Sequence, residues 1–169
     1  PKGYQLVLVN SKVKHELVGS PYNDRRRSCE NVVAAIAAQF PDRHFETLRD
    51  AEWTDLEAVR NKVSEEDYSR AHYVLGEKDR VLAVCEALNQ GDYETVGQKM
   101  YETHDGLSNE YDVSCEELDF LNDVARECGV TGSRIMGGGF GGCTINLVKE
   151  ELYDHFVEDV TKRFAAKYG

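Results

Sequence analysis

Residues Ser133 to Val148 read SRIMGGGFGGCTINLV, and this stretch decides how the fold is interpreted. Five glycines surround Phe140 between two short runs that predict strands. Glycine loses more backbone entropy on folding than any other residue, about 0.5–1 kcal/mol inside a regular element relative to alanine. Five glycines together therefore predict a backbone path that only glycine can follow.

Two explanations fit this glycine loop. Backbone N–H groups without neighbouring Cβ atoms can converge on an anionic group such as a phosphate. A tight hairpin or a bulged strand crossing also uses glycine, although a hairpin usually needs only two. We favour a ligand-binding loop near a phosphate, formed by Gly137, Gly138, Gly139, Phe140, Gly141 and Gly142. Strand-like residues follow it, so it is neither a P-loop nor a Rossmann fingerprint.

The segments on both sides of the loop predict an α+β fold. YQLVLV at 4–9 predicts a strand, followed by a charged connector at 12–27. Apolar spacing predicts helices within 29–40, around 56–59, from 68 to 88, after Asp92, after Ser114 and from 152 to 168. Thr54 with Glu57, and Ser114 with Glu117, have the spacing of capping boxes. We predict a small, mainly antiparallel sheet covered by helices.

Composition excludes several classes of function. The 169 residues contain 20 basic and 31 acidic side chains, a formal charge of -11 that disfavours nucleic acid as a partner. Neither a membrane span nor a basic and apolar leader is present, so we expect a cytoplasmic protein without a membrane partner. Five scattered cysteines and five dispersed histidines predict reduced thiols and no metal site made by this chain alone.

Several segments resemble one family of enzymes. GSRIMGGGFGGCTINLV looks like the third signature motif of the GHMP small-molecule kinases, in the form that sugar kinases acting on galactose show. VLVNSKVKHELVGSPYNDRRRSCENV, AHYVLGEKDRV and MYETHDGLSNEYDVSCEELDFL resemble later segments of the same kinases, in the same order. The similarity covers most of residues 4–160.

The resemblance implies transfer of the ATP γ-phosphoryl group to the anomeric hydroxyl of galactose, with Mg²⁺. It implies a C-terminal GHMP kinase domain with ferredoxin-like elements over residues 1–169, from a monomeric parent. The segments that hold the catalytic Asp, an Arg, the sugar-binding carboxylates and the main ATP loop have no counterpart here. We therefore expect ATP and Mg²⁺ to be bound mainly by an N-terminal domain, and the last strand region to be missing. We predict that these residues alone are inactive and contain no catalytic residue.

The resemblance also assigns roles to single residues. Tyr22 matches the tyrosine that contacts the sugar, although a surface tyrosine in a turn is the alternative. Lys14 stands where many relatives carry Arg, near the phosphate, and a lysine keeps the charge without the planar bidentate geometry. We expect the arginines at 25–27 to pair with acidic neighbours rather than with a nucleotide. We expect His104 to be a packing residue and Cys143 to pack in the strand after the loop.

Three other functions remain open from the sequence. A related protein could bind galactose and ATP as a sensor that regulates a partner. The sugar could be another hexose, such as N-acetylgalactosamine. The glycine loop could be purely structural, within a domain that only scaffolds.

Overall fold

The computed structural model describes residues 2–14, 20–137 and 141–169, with the backbone alone at 20–22. Within these residues, the three strands are β1 (Tyr4–Asn10), β2 (Gly132–Ile135) and β3 (Cys143–Lys149). The α-helices are α1 (Ser20–Gln39), α2 (Trp53–Ala58), α3 (Glu65–Asn89), α4 (Tyr93–Asn109), α5 (Glu116–Glu127) and α6 (Tyr153–Tyr168). The predicted α+β fold with a small antiparallel sheet is confirmed.

The sheet has the order β1-β3-β2, and both pairings are antiparallel. Leu6 lies opposite Leu147 across β1 and β3, and Ile135 lies opposite Thr144 across β2 and β3. Beyond the last residue of β2, the Met136 N–H donates to the carbonyl of Cys143 at 2.9 Å. The glycine loop therefore connects the two paired strands that the sequence predicts on either side of it.

The chain divides into two compact units. The sheet unit comprises Pro1–Glu16, Ala83–Ser108 and Asp112–Gly169, and the helical unit comprises Leu17–Leu82 and Asn109–Tyr111. The prediction of one domain over residues 1–169 stays a prediction.

The core of the sheet unit lies between the sheet and the helices α5 and α6. Its buried side chains are Leu121, Val124 and Ala125 of α5, Val130, Val148 of β3, and Phe156 and Val160 of α6. The helical faces predicted after Ser114 and from 152 to 168 supply most of this core. Burying one such side chain stabilises a fold by about 1.5–3 kcal/mol.

Helix α4 approaches β2 so closely that backbone meets backbone. A Cβ atom at Gly97 would lie 2.0 Å from the carbonyl oxygen of Thr131, and one at Gly132 would lie 2.5 Å from the Cα of Gly97. Real Cβ atoms do not approach other atoms to such distances, so this contact requires glycine at both positions.

The helical unit has its own apolar core. Its buried members are Val32, Ile36, Leu48, Ala51, Leu56, Val59, Ala71 and Leu75. Beside this core, the buried carboxylate of Asp55 accepts hydrogen bonds from Arg43 Nη1 at 2.7 Å and Nη2 at 2.9 Å.

Three local predictions are wrong. Residues 20–27 are helical rather than connector, because α1 begins at Ser20; Pro21 suits the first turn, where its missing N–H has no helical partner. Helix α2 is preceded by Glu52 rather than capped by Thr54, since the buried Asp55 accepts from the Glu52 N–H at 2.9 Å. The residue before α5 is Cys115, and the hydroxyl of Ser114 donates to Asp119 instead.

Candidate functional site

The described ends of the glycine loop have backbone conformations that favour glycine. The φ angles are +85° at Gly137, +147° at Gly141 and +83° at Gly142. L-residues rarely adopt these values. Gly138, Gly139 and Phe140 lie outside the described residues.

The C-terminal end of the loop is bound to the segment that follows β1. The Ser11 N–H and the Ser11 hydroxyl both donate to the carbonyl of Gly142, at 2.9 and 2.6 Å. In return, the Gly142 N–H donates to the carbonyl of Val13 at 3.1 Å. We refer to these three hydrogen bonds as the Ser11–Gly142 contact. Because both backbone groups of Gly142 are engaged, its N–H is committed within the protein and does not point to a ligand.

Gly141 packs directly on the same segment. A Cβ atom there would lie 2.7 Å from the carbonyl oxygen of Val13 and 2.9 Å from that of Lys14. Gly141 is buried, and no side chain fits between the two backbones. Part of the glycine content of the loop is therefore explained by close packing.

The segment that receives the loop contains a tight turn. Lys12 has a φ of +62°, and its N–H donates to the Asn10 side-chain oxygen at 2.8 Å. The Ser11 hydroxyl also accepts from the Val13 N–H at 3.2 Å. These side-chain contacts hold the backbone in the path that presents the Val13 and Lys14 carbonyls to Gly141 and Gly142.

The predicted site residues are only partly brought together. Lys14 has an exposed side chain, and its backbone lies directly beside Gly141. Lys14 and the loop, which are far apart in the sequence, therefore occupy one place in the sheet unit. Tyr22 lies in the first turn of α1, and its side chain is outside the description. The predicted roles of Tyr22, Lys14 and the loop stay predictions.

The arginines at 25–27 are engaged within the helical unit. Arg26 pairs with Glu30 at 3.0 Å, and Arg27 pairs with Asp24 at 3.6 Å. Arg25 is buried, and its Nε donates to the carbonyl of Tyr111 at 3.0 Å. Arg26 and Arg27 therefore have the acidic partners that we expected. Arg25 also donates to a backbone carbonyl.

His104 is buried and belongs to a partly exposed polar cluster of the sheet unit. Its Nε2 lies 2.9 Å from Asp119 Oδ1, and it must be the donor because a carboxylate only accepts. Asp119 also accepts from Ser108 at 3.0 Å and Ser114 at 2.7 Å. Burial raises the pKa of Asp119, but these hydrogen bonds outweigh it and leave the pKa below its usual range. The arrangement agrees with a packing role for His104, and sequence reasoning missed Asp119.

The cysteines are free thiols without an evident reactive site. Cys143 begins β3 and is half-buried. Cys128 donates to Asp159 at 3.0 Å, and burial together with this carboxylate raises the pKa of Cys128 to about 11. The nucleophilic thiolate is therefore disfavoured at Cys128.

Clusters of metal ligands and membrane-spanning helices are both absent from the described part of the chain. Residues 2–14, 20–137 and 141–169 contain no group of three His, Cys, Asp or Glu side chains placed to hold a metal ion. None of the helices described here combines the length and apolar composition that crossing a membrane requires.

The fold and the loop define a class of protein. Residues 84–166 match the family model "GHMP kinases C terminal". The crystal structure of Lactococcus lactis galactokinase complexed with galactose has a TM-score of 0.87 and 25% identity, covering 96% of this chain and 42% of that one. L. major mevalonate kinase in complex with R-mevalonate, at a TM-score of 0.54 and 24% identity over 94% of this chain and 38% of that one, supports the fold alone. Residues 84–166 therefore form a C-terminal domain of the GHMP kinase family.

Within this class, the similar curated proteins are galactokinases. Human galactokinase is 40% identical over 160 residues, 94% of this chain and 39% of the relative. Galactokinase of Thermotoga maritima is 37% identical over 169 residues, 99% of this chain and 45% of the relative. The chain is homologous to the C-terminal part of galactokinase, and it spans less than half the length of these relatives.

Proposed function

We propose that the protein carrying this chain is a kinase that transfers the γ-phosphoryl group of ATP to the anomeric hydroxyl of galactose, yielding galactose 1-phosphate. The observation that carries the proposal is the backbone contact of Gly141 with Val13 and Lys14. It joins the segment with the lysine that is predicted to lie near the phosphate to the loop with the kinase signature. Similarity to galactokinases over nearly the whole chain supports the choice of sugar.

The glycine loop would line the site beside the transferred phosphate. Its C-terminal end is held by the Ser11–Gly142 contact. Phosphoryl transfer depends on positioning and charge stabilisation more than on covalent chemistry. A loop whose end is held on the sheet suits the first requirement, and the exposed ammonium of Lys14 suits the second.

ATP and Mg²⁺ are the expected cofactors. The described residues fit an anionic phosphate through Lys14, and they offer no group of carboxylates for Mg²⁺. When bound, ATP supplies the phosphoryl group and Mg²⁺ neutralises its charge. We expect an N-terminal domain to bind most of both, so that residues 1–169 alone turn over no ATP.

We further propose that Tyr22 contacts galactose through its phenol or its ring. Tyr22→Phe separates these possibilities, because it removes the hydroxyl and keeps the ring. If the Michaelis constant for galactose rises as much in Tyr22→Phe as in Tyr22→Ala, the contact is made by the hydroxyl. If neither substitution changes that constant, Tyr22 is not a sugar contact.

The proposal is tested with the full-length protein. ATP consumption is measured with galactose, N-acetylgalactosamine, glucose and no sugar, and the position of the product phosphate is determined by ³¹P NMR. We expect turnover with galactose and a phosphate on the anomeric oxygen. Turnover with N-acetylgalactosamine alone would change the substrate, and binding of galactose and ATP without turnover would indicate a sensor.

The remaining expectations concern the setting of the enzyme. We propose a monomeric, cytoplasmic kinase in galactose metabolism, since the five thiols are free as a reducing compartment would leave them. Sedimentation of the full-length protein tests the monomer.

A further inference from the structure

We propose that Ser11 is a positioning residue of this kinase, which sets the glycine loop for phosphoryl transfer without touching a substrate. The inference rests on the proposed function. Its own basis is the Ser11–Gly142 contact, which joins residues 131 positions apart in the sequence.

Ser11 has the chemistry for this role. Ser11 is only 2% exposed, so little water competes for the hydrogen bonds of its hydroxyl. The hydroxyl donates to the Gly142 carbonyl at 2.6 Å while it accepts from the Val13 N–H at 3.2 Å. One side chain therefore links the loop to the turn that supports it, using both its donor and an acceptor site.

Neighbouring backbone hydrogen bonds should preserve the fold when the Ser11 hydroxyl is removed, so that mainly the loop is affected. The hydroxyl adds to two backbone hydrogen bonds, Ser11 N–H to Gly142 O and Gly142 N–H to Val13 O. Those two remain when the side chain is removed, so the loop keeps its path and loses part of its restraint. At the other end of the loop, Met136 N–H to Cys143 O closes the β2–β3 connection independently. Removal of the hydroxyl should thus affect the position of the loop more than the fold.

The consequence for catalysis follows from geometry. Reacting atoms must be held within a few tenths of an ångström, and a displacement of about 1 Å costs on the order of 100-fold in rate. Loss of one of three restraints should displace the loop by less than this. We expect Ser11→Ala to lower kcat about tenfold, by the same reasoning. The Michaelis constants for ATP and galactose should change less than about threefold, because Ser11 contacts neither.

Ser108→Ala is a matched control in the same unit. It removes a partly buried hydroxyl that donates to Asp119 at 3.0 Å, so it loses a comparable hydrogen bond away from the loop. We expect Ser108→Ala to lower the thermal midpoint at least as much as Ser11→Ala and to leave kcat within about twofold. Ser11→Thr keeps the hydroxyl and should recover most of the lost kcat.

Hydrogen exchange gives a readout that does not depend on activity. In the full-length protein, the Gly142 amide is protected by the Val13 carbonyl. We expect Ser11→Ala to speed its exchange about tenfold and Ser108→Ala to leave it unchanged, since opening of the contact becomes easier. Unchanged exchange in a folded Ser11→Ala protein overturns the positioning role. Unchanged kcat with faster exchange overturns its catalytic consequence.

The two proposals fail differently. A protein with no turnover on any sugar contradicts the kinase assignment, and the exchange experiment still decides whether Ser11 holds the loop. If Ser11→Ala does not fold, Ser11→Cys keeps the volume with a weaker donor. Ser11→Cys should then fall between the serine and alanine forms in exchange rate, and an exchange rate equal to that of the serine form overturns the inference.

Discussion

At two positions in the sheet unit, two backbone segments are in direct contact. The glycine that permits the contact is isolated in the sequence at one position and part of a cluster at the other. At the first, Gly97 of α4 meets Thr131, where a Cβ would lie 2.0 Å from a carbonyl oxygen. At the second, Gly141 meets Val13 and Lys14, where a Cβ would lie 2.7 and 2.9 Å from two carbonyl oxygens. Gly97 is an isolated glycine in a helix, whereas Gly141 belongs to a conspicuous cluster.

A cluster of glycines therefore does not mark the place where two backbones approach most closely. The tighter approach belongs to the isolated glycine, and no ligand is needed to explain it. Within the cluster, close packing against Val13 and Lys14 accounts for the glycine at position 141. The number of glycines in the loop is therefore not, by itself, evidence for a ligand.

The largest expected effect is at the tighter approach. Gly97→Ala should lower the unfolding free energy by about 3 kcal/mol or more, because α4 must move away from β2 to admit the methyl group. Urea unfolding of the full-length protein measures this. Gly76→Ala is the control, since its Cβ would meet only the flexible end of Arg80 at 3.0 Å. That helical substitution should be neutral or stabilising by up to about 1 kcal/mol. If Gly97→Ala is as stable as Gly76→Ala, the contact between α4 and β2 does not require glycine at position 97.

At the second approach, a smaller loss of stability is expected. Gly141→Ala combines a clash with a positive φ, for a cost of about 2–3 kcal/mol. Turnover should fall as well, since the loop must leave Val13 and Lys14. Gly91→Ala has a φ of +71° but open space around it, so its cost should be about 1 kcal/mol, from conformation alone. A Gly141→Ala protein no less stable than Gly91→Ala would show that the loop is not packed on this segment.

Acid titration separates these steric contacts from charged ones. Hydrogen bonds from Arg43 lower the pKa of Asp55. Because the pKa is lower in the folded state than its usual value of about 3.9, this stabilisation is present above that value and is lost as pH falls through the folded value. Unfolding free energy should thus decrease below about pH 4.

Asp55→Asn should abolish part of this acid dependence, while Gly97→Ala should shift the whole curve without changing its slope. We expect Asp55→Asn to cost on the order of 1.5 kcal/mol at neutral pH, at the low end for bonds to a charged group. The Arg43 side chain is 46% exposed, which limits the value of the pair. If the unfolding free energy of Asp55→Asn decreases at low pH as steeply as that of the unsubstituted protein, other carboxylates cause the acid dependence.

The smallest effect concerns the turn that supports the loop. Lys12→Gly should raise the unfolding free energy by about 0.5 kcal/mol, because glycine tolerates a φ of +62° and its entropic cost offsets part of the gain. Asp112, with a φ of +56°, is the comparison, since aspartate tolerates this region better. Thermal melts should show a gain for Lys12→Gly and none for Asp112→Gly. The opposite order would mean that the Lys12 side chain stabilises the turn.

Much of the fold could be predicted from local patterns. Four-residue spacing predicted α6, and apolar runs beside the glycines predicted β2 and β3, because burial of one face imposes a period on the sequence. The start of α1 was missed, since residues 20–27 are mostly polar and show no apolar period. The first turn of a surface helix can be stabilised by such residues without any apolar signal.

Less of the candidate site than of the fold could be predicted from the sequence. The loop could be proposed from its glycine cluster and Lys14 from a resemblance, but their backbone contact could not be derived. Hydrogen bonds such as Ser11 to Gly142 use backbone carbonyls, and these are identical in every residue. Likewise, Gly97 looks like a poor helix former until its neighbour Thr131 is known. Contacts between distant backbones leave little pattern in one sequence.

The central proposal is that the glycine loop, held at its C-terminal end by packing, binds a ligand. The most direct measurement is galactose-dependent ATP turnover by the full-length Gly139→Val protein, with its unfolding free energy measured alongside. We predict a loss of turnover on the order of 100-fold, larger than any loss of folded protein explains. Turnover with unchanged apparent affinities for ATP and galactose would contradict the claim and leave the loop a structural element.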